Sequence, residues 1–474
     1  MKTIDHIYID GRFVRPLGSE TLELINPASG LPIGRVTLGD ARDAQAAIAA
    51  AKAAYPAFAR TTVEQRIGYL QRLADAVAAR SDELVDAMVE EYGGPLRTCQ
   101  NSTRRAADGF RRAAELLKTF DFVSYVGKAK VVLEPLGVAA LITPWNANYS
   151  FICGKLAMAI ASGSTAVIKP SELSAIQTQL LAECLHAAGL PPGVFNIVNG
   201  RGDTVGAEFT RHPDVAKISF TGSTAVGKTI ARGAAETMKR VTLELGGKSP
   251  NILLDDADFE AAIPLALAAA TMNSGQACLA GTRLLVPEHR MEEVKRLVLR
   301  AAQSFKVGDP RADGTMIGPM VTQRQYERVQ HYIRAGLEEG AQLLVGGPGK
   351  PQGLEQGHYV RLTVFTGVRN DMAIARDEIF GPVLAIIGYR DEDEAIRIAN
   401  DTIYGLHAYV SSGDAERAGR VAAQLVAGRV FINGLYDEPD APFGGFRQSG
   451  IGREFGRHGL QAYLEPKAIM GHQQ

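Results

Sequence analysis

A carboxylate and a thiol stand in two segments whose residue types suit covalent catalysis. Glu244 leaves an apolar run, Val241 to Leu245, and enters the turn Gly246-Gly247-Lys248-Ser249-Pro250. Further along, Asn273-Ser274-Gly275-Gln276-Ala277-Cys278 closes an alanine-rich helical stretch. If the two meet in space, a thiolate attacks an electrophilic carbon and a carboxylate takes a proton from thiol or water. Burial at a strand end would raise the carboxylate toward the range useful for a base. Taken alone, a cysteine is as readily a buried filler of a core. Thr143-Pro144-Trp145-Asn146 adds the only tryptophan and an amide able to donate to an oxyanion. Its plainer reading is a loop with a packed indole.

Other loops suit phosphate and ribose. Phe220-Thr221-Gly222-Ser223-Thr224-Ala225-Val226-Gly227 follows an expected strand and opens an expected helix, where amides and the helix dipole can hold a pyrophosphate. Its glycine spacing is not the common GxGxxG, and a tight turn would also explain it. Asn199-Gly200-Arg201-Gly202-Asp203-Thr204-Val205-Gly206 resembles GxGxxG with one residue too many, and on pattern alone competes for the phosphates. Lys169-Pro170-Ser171-Glu172 ends another strand, a place where an acid suits ribose hydroxyls. A solvated Lys/Glu pair is the simple alternative.

The elements that must position these groups read as two α/β units. With 474 residues, 46% hydrophobic and 22% charged, and a net charge of −1, the chain has material for two or three domains. No basic excess points to nucleic acid. Cys99, Cys153, Cys184 and Cys278 are scattered without a CxxC pair, which argues against zinc and a disulfide framework. The start, Met1-Lys2-Thr3-Ile4-Asp5-His6, lacks a signal-peptide core, and the low-charge run Gly137 to Tyr149 is too short to span a bilayer. A reducing cytoplasm is expected, where a thiol stays free.

Short strands (Ile7 to Ile9, Leu22 to Ile25) precede three expected helices: Asp40-capped through Ala59, Val63 to Glu91, and Thr103 to Phe120. From Gly137, strands Val138 to Ile142, Ala166 to Ile168, Val194 to Val198, Lys217 to Phe220 and Val241 to Leu245 alternate with helices. These are Tyr149 to Ala161, Ala175 to Ala188, Thr204 to Thr210 and Thr224 to Thr237. Continuous apolar strands alternating with helices imply a parallel, doubly wound sheet. A second alternation runs from Ser249 to about Asn433, with strands near Asn251 to Leu254, Arg283 to Val286, Val383 to Ile387 and Arg429 to Ile432. No repeat or low-complexity linker is evident.

In order and spacing, Pro144-Trp145-Asn146, Lys169 to Glu172, Phe220 to Thr224, Glu244 to Lys248, Gly275 to Cys278, Glu378-Ile379-Phe380-Gly381-Pro382 and Pro442-Phe443-Gly444-Gly445-Phe446 to Gly452-Arg453-Glu454 resemble the NAD(P)-dependent aldehyde dehydrogenases. The resemblance runs from Asn26-Pro27-Ala28 to Gln461-Ala462-Tyr463-Leu464-Glu465. It implies a Rossmann-type cofactor domain (1–116 and 136–246), an α/β catalytic domain (247–447) and oligomerisation segments (117–135 and 448–474).

The resemblance also implies roles. Cys278 would be the nucleophile, Glu244 the base that activates water, and Asn146 with the Cys278 backbone N–H the oxyanion hole. Lys155 and Glu454 match positions proposed to relay protons. NAD, with NADP possible, would be held by Thr143, Pro144, Trp145, Lys169, Ser171, Glu172, Phe220, Thr221, Gly222, Ser223, Thr224, Gly227, Leu245, Gly246, Glu378 and Phe380. Gly202 and Gly206 would lie beside the adenine. Glu172 would favour NAD by repelling a 2′-phosphate, with Lys169 softening that repulsion. The tunnel for a small-molecule aldehyde would be lined by Ala147, Phe151, Gly154, Ala277, Leu279, Tyr436 and Phe443. No metal is implied.

After Asn146 the family usually has an aromatic residue and a proline; here Ala147 and Asn148 stand instead. The tunnel positions supply no arginine for a substrate carboxylate, so medium-chain aliphatic or aromatic aldehydes are expected to be preferred. The acidic loop Asp437-Glu438-Pro439-Asp440 keeps an amino-aldehyde open, and a semialdehyde dehydrogenase or an NADP-preferring enzyme on the same mechanism stands as an alternative beside it. A CoA-acylating enzyme is the alternative within enzymes, disfavoured because Glu244 would waste the thioester on water. A structural protein is the alternative outside them. Segments around Lys130-Val131-Val132-Leu133 and Lys467-Ala468-Ile469-Met470 are expected to meet a partner subunit in a homodimer or homotetramer. No nucleic-acid or membrane partner is expected.

Overall fold

The computed structural model describes residues 1–436 and 438–471, and every count below is made among them. The first helix, Ala41–Phe58, starts where its sequence says it should. Asp40 accepts from Arg42 N while Asp43, three residues on, accepts from Asp40 N. The stretch expected as one helix from Val63 to Glu91 is two, Val63–Ala79 and Ser81–Tyr92. Arg80 breaks it at φ −113°, ψ 24° and sends its guanidinium to Glu83 and Glu183. No Gly or Pro marks the break; the packing of the two helices against Leu96–Leu117 decides it. That third helix starts earlier and ends earlier than its periodicity suggested.

Five parallel strands form the centre of an eight-stranded sheet. They are Val138–Ile142, Thr165–Lys169, Phe195–Ile197, Val215–Thr221 and Arg240–Glu244. Numbered along the chain, they lie in the order 3-2-1-4-5. The chain therefore reverses direction across the sheet between Val138–Ile142 and Val215–Thr221, the crevice where such sheets bind ligands. Antiparallel strands Ile7–Ile9 and Arg12–Val14 close one edge. At the other edge Gly450–Ile451 pairs with Leu243 and Glu244, so a part of the segment 448–474 joins this sheet.

A seven-stranded sheet carries the second unit. Pro250–Leu253, Arg283–Pro287, Val383–Tyr389 and Arg429–Ile432 appear where the sequence alternation put strands. Gln342–Val345, Thr363–Thr366 and His407–Ser411 complete it. All its neighbours pair in parallel except Gln342–Val345 with Thr363–Thr366. Apart from both sheets, Val123–Val126, Ala129–Pro135 and Leu464–Ile469 make a three-stranded antiparallel ribbon in which Lys467 opposes Val132. Its outer strand Val123–Val126 is exposed along its whole length.

Candidate functional site

Glu244 is fixed from two sides. Its strand is parallel to Val215–Thr221, with Glu244 opposite Thr221, and antiparallel to Gly450–Ile451 on its other flank. Beyond it, Leu245 N donates to Ser449 O at 2.9 Å and Ser449 Oγ donates to Gly246 O at 2.7 Å. The carboxylate is 2% exposed, and neither oxygen has a hydrogen-bond partner. Burial, with the Glu454 charge adding to it, therefore holds its pKa well above the usual carboxylate range. A carboxylate so placed is a stronger base than a solvated one.

Cys278 sits on a loop whose backbone is under constraint. After helix Phe259–Thr271, Asn273, Ser274 and Gly275 adopt φ of 52°, 60° and 75° in succession. Left-handed residues that are not glycine cost on the order of 1–3 kcal/mol each and need surrounding contacts to persist. Those contacts are present. Tyr92 Oη donates to Asn273 O at 3.4 Å, Gly318 N to Ser274 Oγ at 2.9 Å, and Val321 N to Gln276 Oε1 at 3.0 Å. A side chain at Gly275 would lie 2.2 Å from the Gly381 carbonyl carbon, so the loop presses directly on the Glu378–Pro382 segment. Cys278 is half-buried, while Cys99, Cys153 and Cys184 are buried. The surrounding protein, then the negative charges of Glu378 and Glu244, push its thiol up to about 12. A thiol so placed needs a base to become a nucleophile.

Asn146 faces the same loop. Its Nδ2 donates to Gln276 O at 2.9 Å, and Asn273 Nδ2 donates back to Asn146 O at 2.8 Å. An amide nitrogen carries two hydrogens, so one remains for an oxyanion beside Cys278. Lys155, on helix Asn148–Ser162, donates to Ser219 Oγ at 3.0 Å and to Glu454.

The residues around the sheet's crevice fit a dinucleotide. Ser223 caps helix Thr224–Ala235, accepting from Val226 N at 3.4 Å. The hydroxyls of Thr143 and Thr221, at the carboxyl ends of the strands flanking the crevice, are buried without partners. Gly227 packs so closely on Leu245 that a Cβ would lie 2.5 Å from its side chain, and one on Gly246 would lie 2.4 Å from Glu378 Oε2. Neither position has room for a Cβ, so the backbone there approaches Leu245 and Glu378 directly. Lys169 Nζ donates to Pro170 O at 2.7 Å and to Glu172 at 3.3 Å. Ser171 Oγ accepts from Leu173 N. The competing loop at Gly202 and Gly206 forms one wide helical turn followed by only Ala207–Arg211, with Gly206 against Lys169. It borders Lys169 and lacks a long helix behind it. Glu378 accepts from Gly247 N at 3.1 Å, and burial lifts its carboxyl to about 7. Phe380, held at φ 62°, meets Trp145 edge to face at 5.5 Å.

Around the remaining space, Phe443 is buried, and Ala147, Phe151, Gly154, Ala277 and Leu279 are half-buried. Phe443 lies 5.6 Å from Phe455, and Gly154 faces the Phe455 ring. Tyr436 is 75% exposed, at the surface. Asp437 lies outside the described residues; Glu438 and Asp440 are exposed, and Asp440 is 3.8 Å from Arg112.

Several supporting residues escaped the sequence reading. Gln325 donates to Phe380 O at 2.8 Å and Arg328 to Glu378 O at 2.6 Å, clamping that loop from helix Gln323–Glu338. Arg429 ties down Pro442, Ala441 and Glu438 through their carbonyls. None of these carries a local motif. Ser219 had a usable signal, a polar residue alternating with Lys217 and Thr221 along a buried strand.

Among the described residues, no helix is long and apolar enough to cross a membrane, and no group of three or more His, Cys, Asp or Glu side chains is placed to hold a metal. A family model described as the aldehyde dehydrogenase family matches residues 13–469. The chain is 46% identical, over 100% of both chains, to 3-succinoylsemialdehyde-pyridine dehydrogenase from a Pseudomonas species. A crystal structure of a mutant of aldehyde dehydrogenase C from Pseudomonas syringae, complexed with NAD+ and octanal, is 47% identical with a TM-score of 0.97, over 98% of this chain and 96% of that one. Betaine aldehyde dehydrogenase from Staphylococcus aureus in complex with NAD+ is 35% identical with a TM-score of 0.95, over 99% and 95%.

Proposed function

The chain belongs to the aldehyde dehydrogenase family, and we propose that it oxidises a medium-chain aliphatic or aromatic aldehyde to the acid, using NAD and hydrolysing the acyl-enzyme with water. The carrying observation is that a buried, unpartnered Glu244 carboxylate lies within electrostatic reach of the half-buried Cys278 thiol. In this reading the Cys278 thiol gives its proton to water and the sulfur attacks the aldehyde carbon. The oxyanion of the resulting thiohemiacetal is held by Asn146 Nδ2 and the Cys278 backbone N–H. NAD, when bound, would supply the hydride acceptor, and loss of hydride from that carbon would leave a thioester on Cys278. Glu244 then removes a proton from water, whose oxygen attacks the thioester, and the Cys278 thiolate departs as the acid forms.

Residues 1–116 and 136–246 would hold the cofactor, with Ser223 and Trp145 toward the phosphates, Lys169 and Glu172 on one ribose and Glu378 on the other. Residues 247–447 would carry the thiol. The closeness of Gly246 to Glu378 supports a joint grip on the nicotinamide side. Phe443, Phe151 and Leu279 support an apolar substrate, which gains about 25 cal/mol per Å² of buried hydrocarbon. The nearby Arg429 guanidinium, 5.2 Å over the Phe443 ring, is engaged by loop carbonyls. The relatives complexed with octanal or named for 3-succinoylsemialdehyde-pyridine are in keeping with such a substrate. Pairing of Asp440 with Arg112 weakens the acidic-mouth reading for an amino-aldehyde.

Initial rates over an aldehyde panel, with NAD or NADP and with or without CoA, test the proposal. The best kcat/KM is expected on octanal-like or aromatic aldehydes without CoA. Best efficiency on succinic semialdehyde, or a requirement for CoA, refutes it. We also assign a homodimer or homotetramer in the cytoplasm, supported by exposed Val123, Tyr125, Val126, Ile469 and Met470 on the ribbon. A monomer mass by light scattering at micromolar concentration would overturn the oligomer.

A further inference from the structure

Beneath Glu244 the two strands present one polar face. Side chains alternate along a strand, so Lys217, Ser219 and Thr221 point to one side. In register on the neighbouring strand, Ser219 is opposite Thr242 and Thr221 opposite Glu244. Every one of these five residues is buried. Lys217 Nζ donates to Thr242 Oγ1 at 2.7 Å and lies 4.6 Å over the Tyr463 ring. Burial pushes the Lys217 ammonium down to about 7. Polar groups in such a position are costly unless they serve one another or a reaction.

Ser219 is the junction of this face with the groups above it. Its Oγ accepts from Lys155 Nζ at 3.0 Å and donates to Glu454 Oε1 at 3.0 Å, while Lys155 also donates to Glu454. Lys155, Ser219 and Glu454 thus form a closed triangle, and Ser219 is the member anchored on the same sheet as Glu244. Ser219, Thr242, Lys155, Glu454 and Tyr463 border a small cavity with space for about one water molecule.

We propose that Ser219 is a positioning residue for proton removal from Glu244: it holds the Glu454 carboxylate and the Lys155 ammonium as one unit that takes the proton Glu244 acquires at each turnover. This rests on the reading of Glu244 as the base. Hydrolysis leaves a proton on the Glu244 carboxylate. It passes through water to a Glu454 oxygen and onward to bulk water, restoring both carboxylates with no change in oxidation state. Without the serine hydroxyl, Glu454 keeps only the lysine and can swing out of line with the cavity. Ser219→Ala also leaves Lys155 short of one acceptor, whereas Ser219→Thr keeps the hydroxyl on a residue type favoured in strands.

Rapid-mixing and steady-state kinetics test this on the full enzyme. Ser219→Ala should bind NAD+ with unchanged affinity and give an unchanged NADH burst, while steady-state turnover falls by about 10-fold or more. A larger solvent deuterium isotope effect on turnover should accompany the loss. Ser219→Thr should recover turnover to within roughly threefold of the parent. Unchanged turnover in Ser219→Ala overturns the proposal. So does a loss shared by burst and cofactor affinity, or one that Ser219→Thr fails to rescue, since each marks a merely structural role. Glu244→Gln, run alongside, separates the two readings. If it shows no slow release the assignment of the base falls, and if it does while Ser219→Ala is silent only the role of Ser219 falls.

Discussion

Replacing Glu244 by glutamine isolates hydrolysis from acylation and from folding. The carboxylate has no hydrogen bond to lose, and a Cβ on Gly444 would lie 2.6 Å from its Oε1, so the pocket is closely fitted to the acid's shape. An amide of the same shape fits it with little rearrangement. What disappears is the proton acceptor, and general-base catalysis contributes about 10²–10⁴-fold, equivalent to about 3–5 kcal/mol of barrier. The upper half of that range is expected because no neighbour can substitute. Glu378 accepts from Gly247 N and Glu454 is held by Ser219 and Lys155. Stopped flow should therefore show a burst of NADH approaching one per active site, then a steady state slowed by about 10³-fold.

Stability should move the other way. Burial raises the Glu244 pKa in the folded protein above its unfolded value. Its contribution to stability is thus fully present below the unfolded pKa and lost as pH rises through the folded one. Glutamine carries no such loss, so the variant's melting temperature should gain on the parent's as pH increases from 5 to 8. An unchanged steady-state rate would remove Glu244 from the chemistry. A melting difference independent of pH would show that the carboxyl is solvated in solution.

Cys278→Ala should lose several orders of magnitude in turnover while NAD+ still quenches Trp145, the only tryptophan, with near-parental affinity; ordinary activity would place the nucleophile elsewhere. With its thiol pushed up to about 12, Cys278 in the cofactor-free protein should be alkylated by iodoacetamide slowly at pH 7 and about tenfold faster per pH unit above it. Intact-mass kinetics that level off below pH 8 would contradict this. NAD+ should bind more tightly than NADP+, and Glu172→Gln should narrow the gap by roughly tenfold, because the Glu172 carboxylate would face a 2′-phosphate; titration showing equal affinities in the parent would end that argument.

Much of the site was legible because its signals are local. Asp40 and Asp43 announce a helix start by their spacing alone, and the structure uses both. Apolar runs ending in Lys169, Thr221 and Glu244 mark buried parallel strands, so the sequence placed chemistry at their carboxyl ends before any pairing was known. Pairing itself is another matter. The order 3-2-1-4-5 decides which glycine loop borders the crevice: the loop at Gly222 follows a flanking strand and opens a long helix, that at Gly202 does neither, and no motif encodes this. The break at Arg80 and the left-handed run at Asn273 and Ser274 are imposed by packing and by contacts such as that from Tyr92. Ser219 meets Glu454 from a distant part of the chain. Periodicity and capping act over a few residues and can be read there. Hydrogen bonds between remote segments exist only once burial has brought them together, and these complete the surroundings of Glu244 and Cys278.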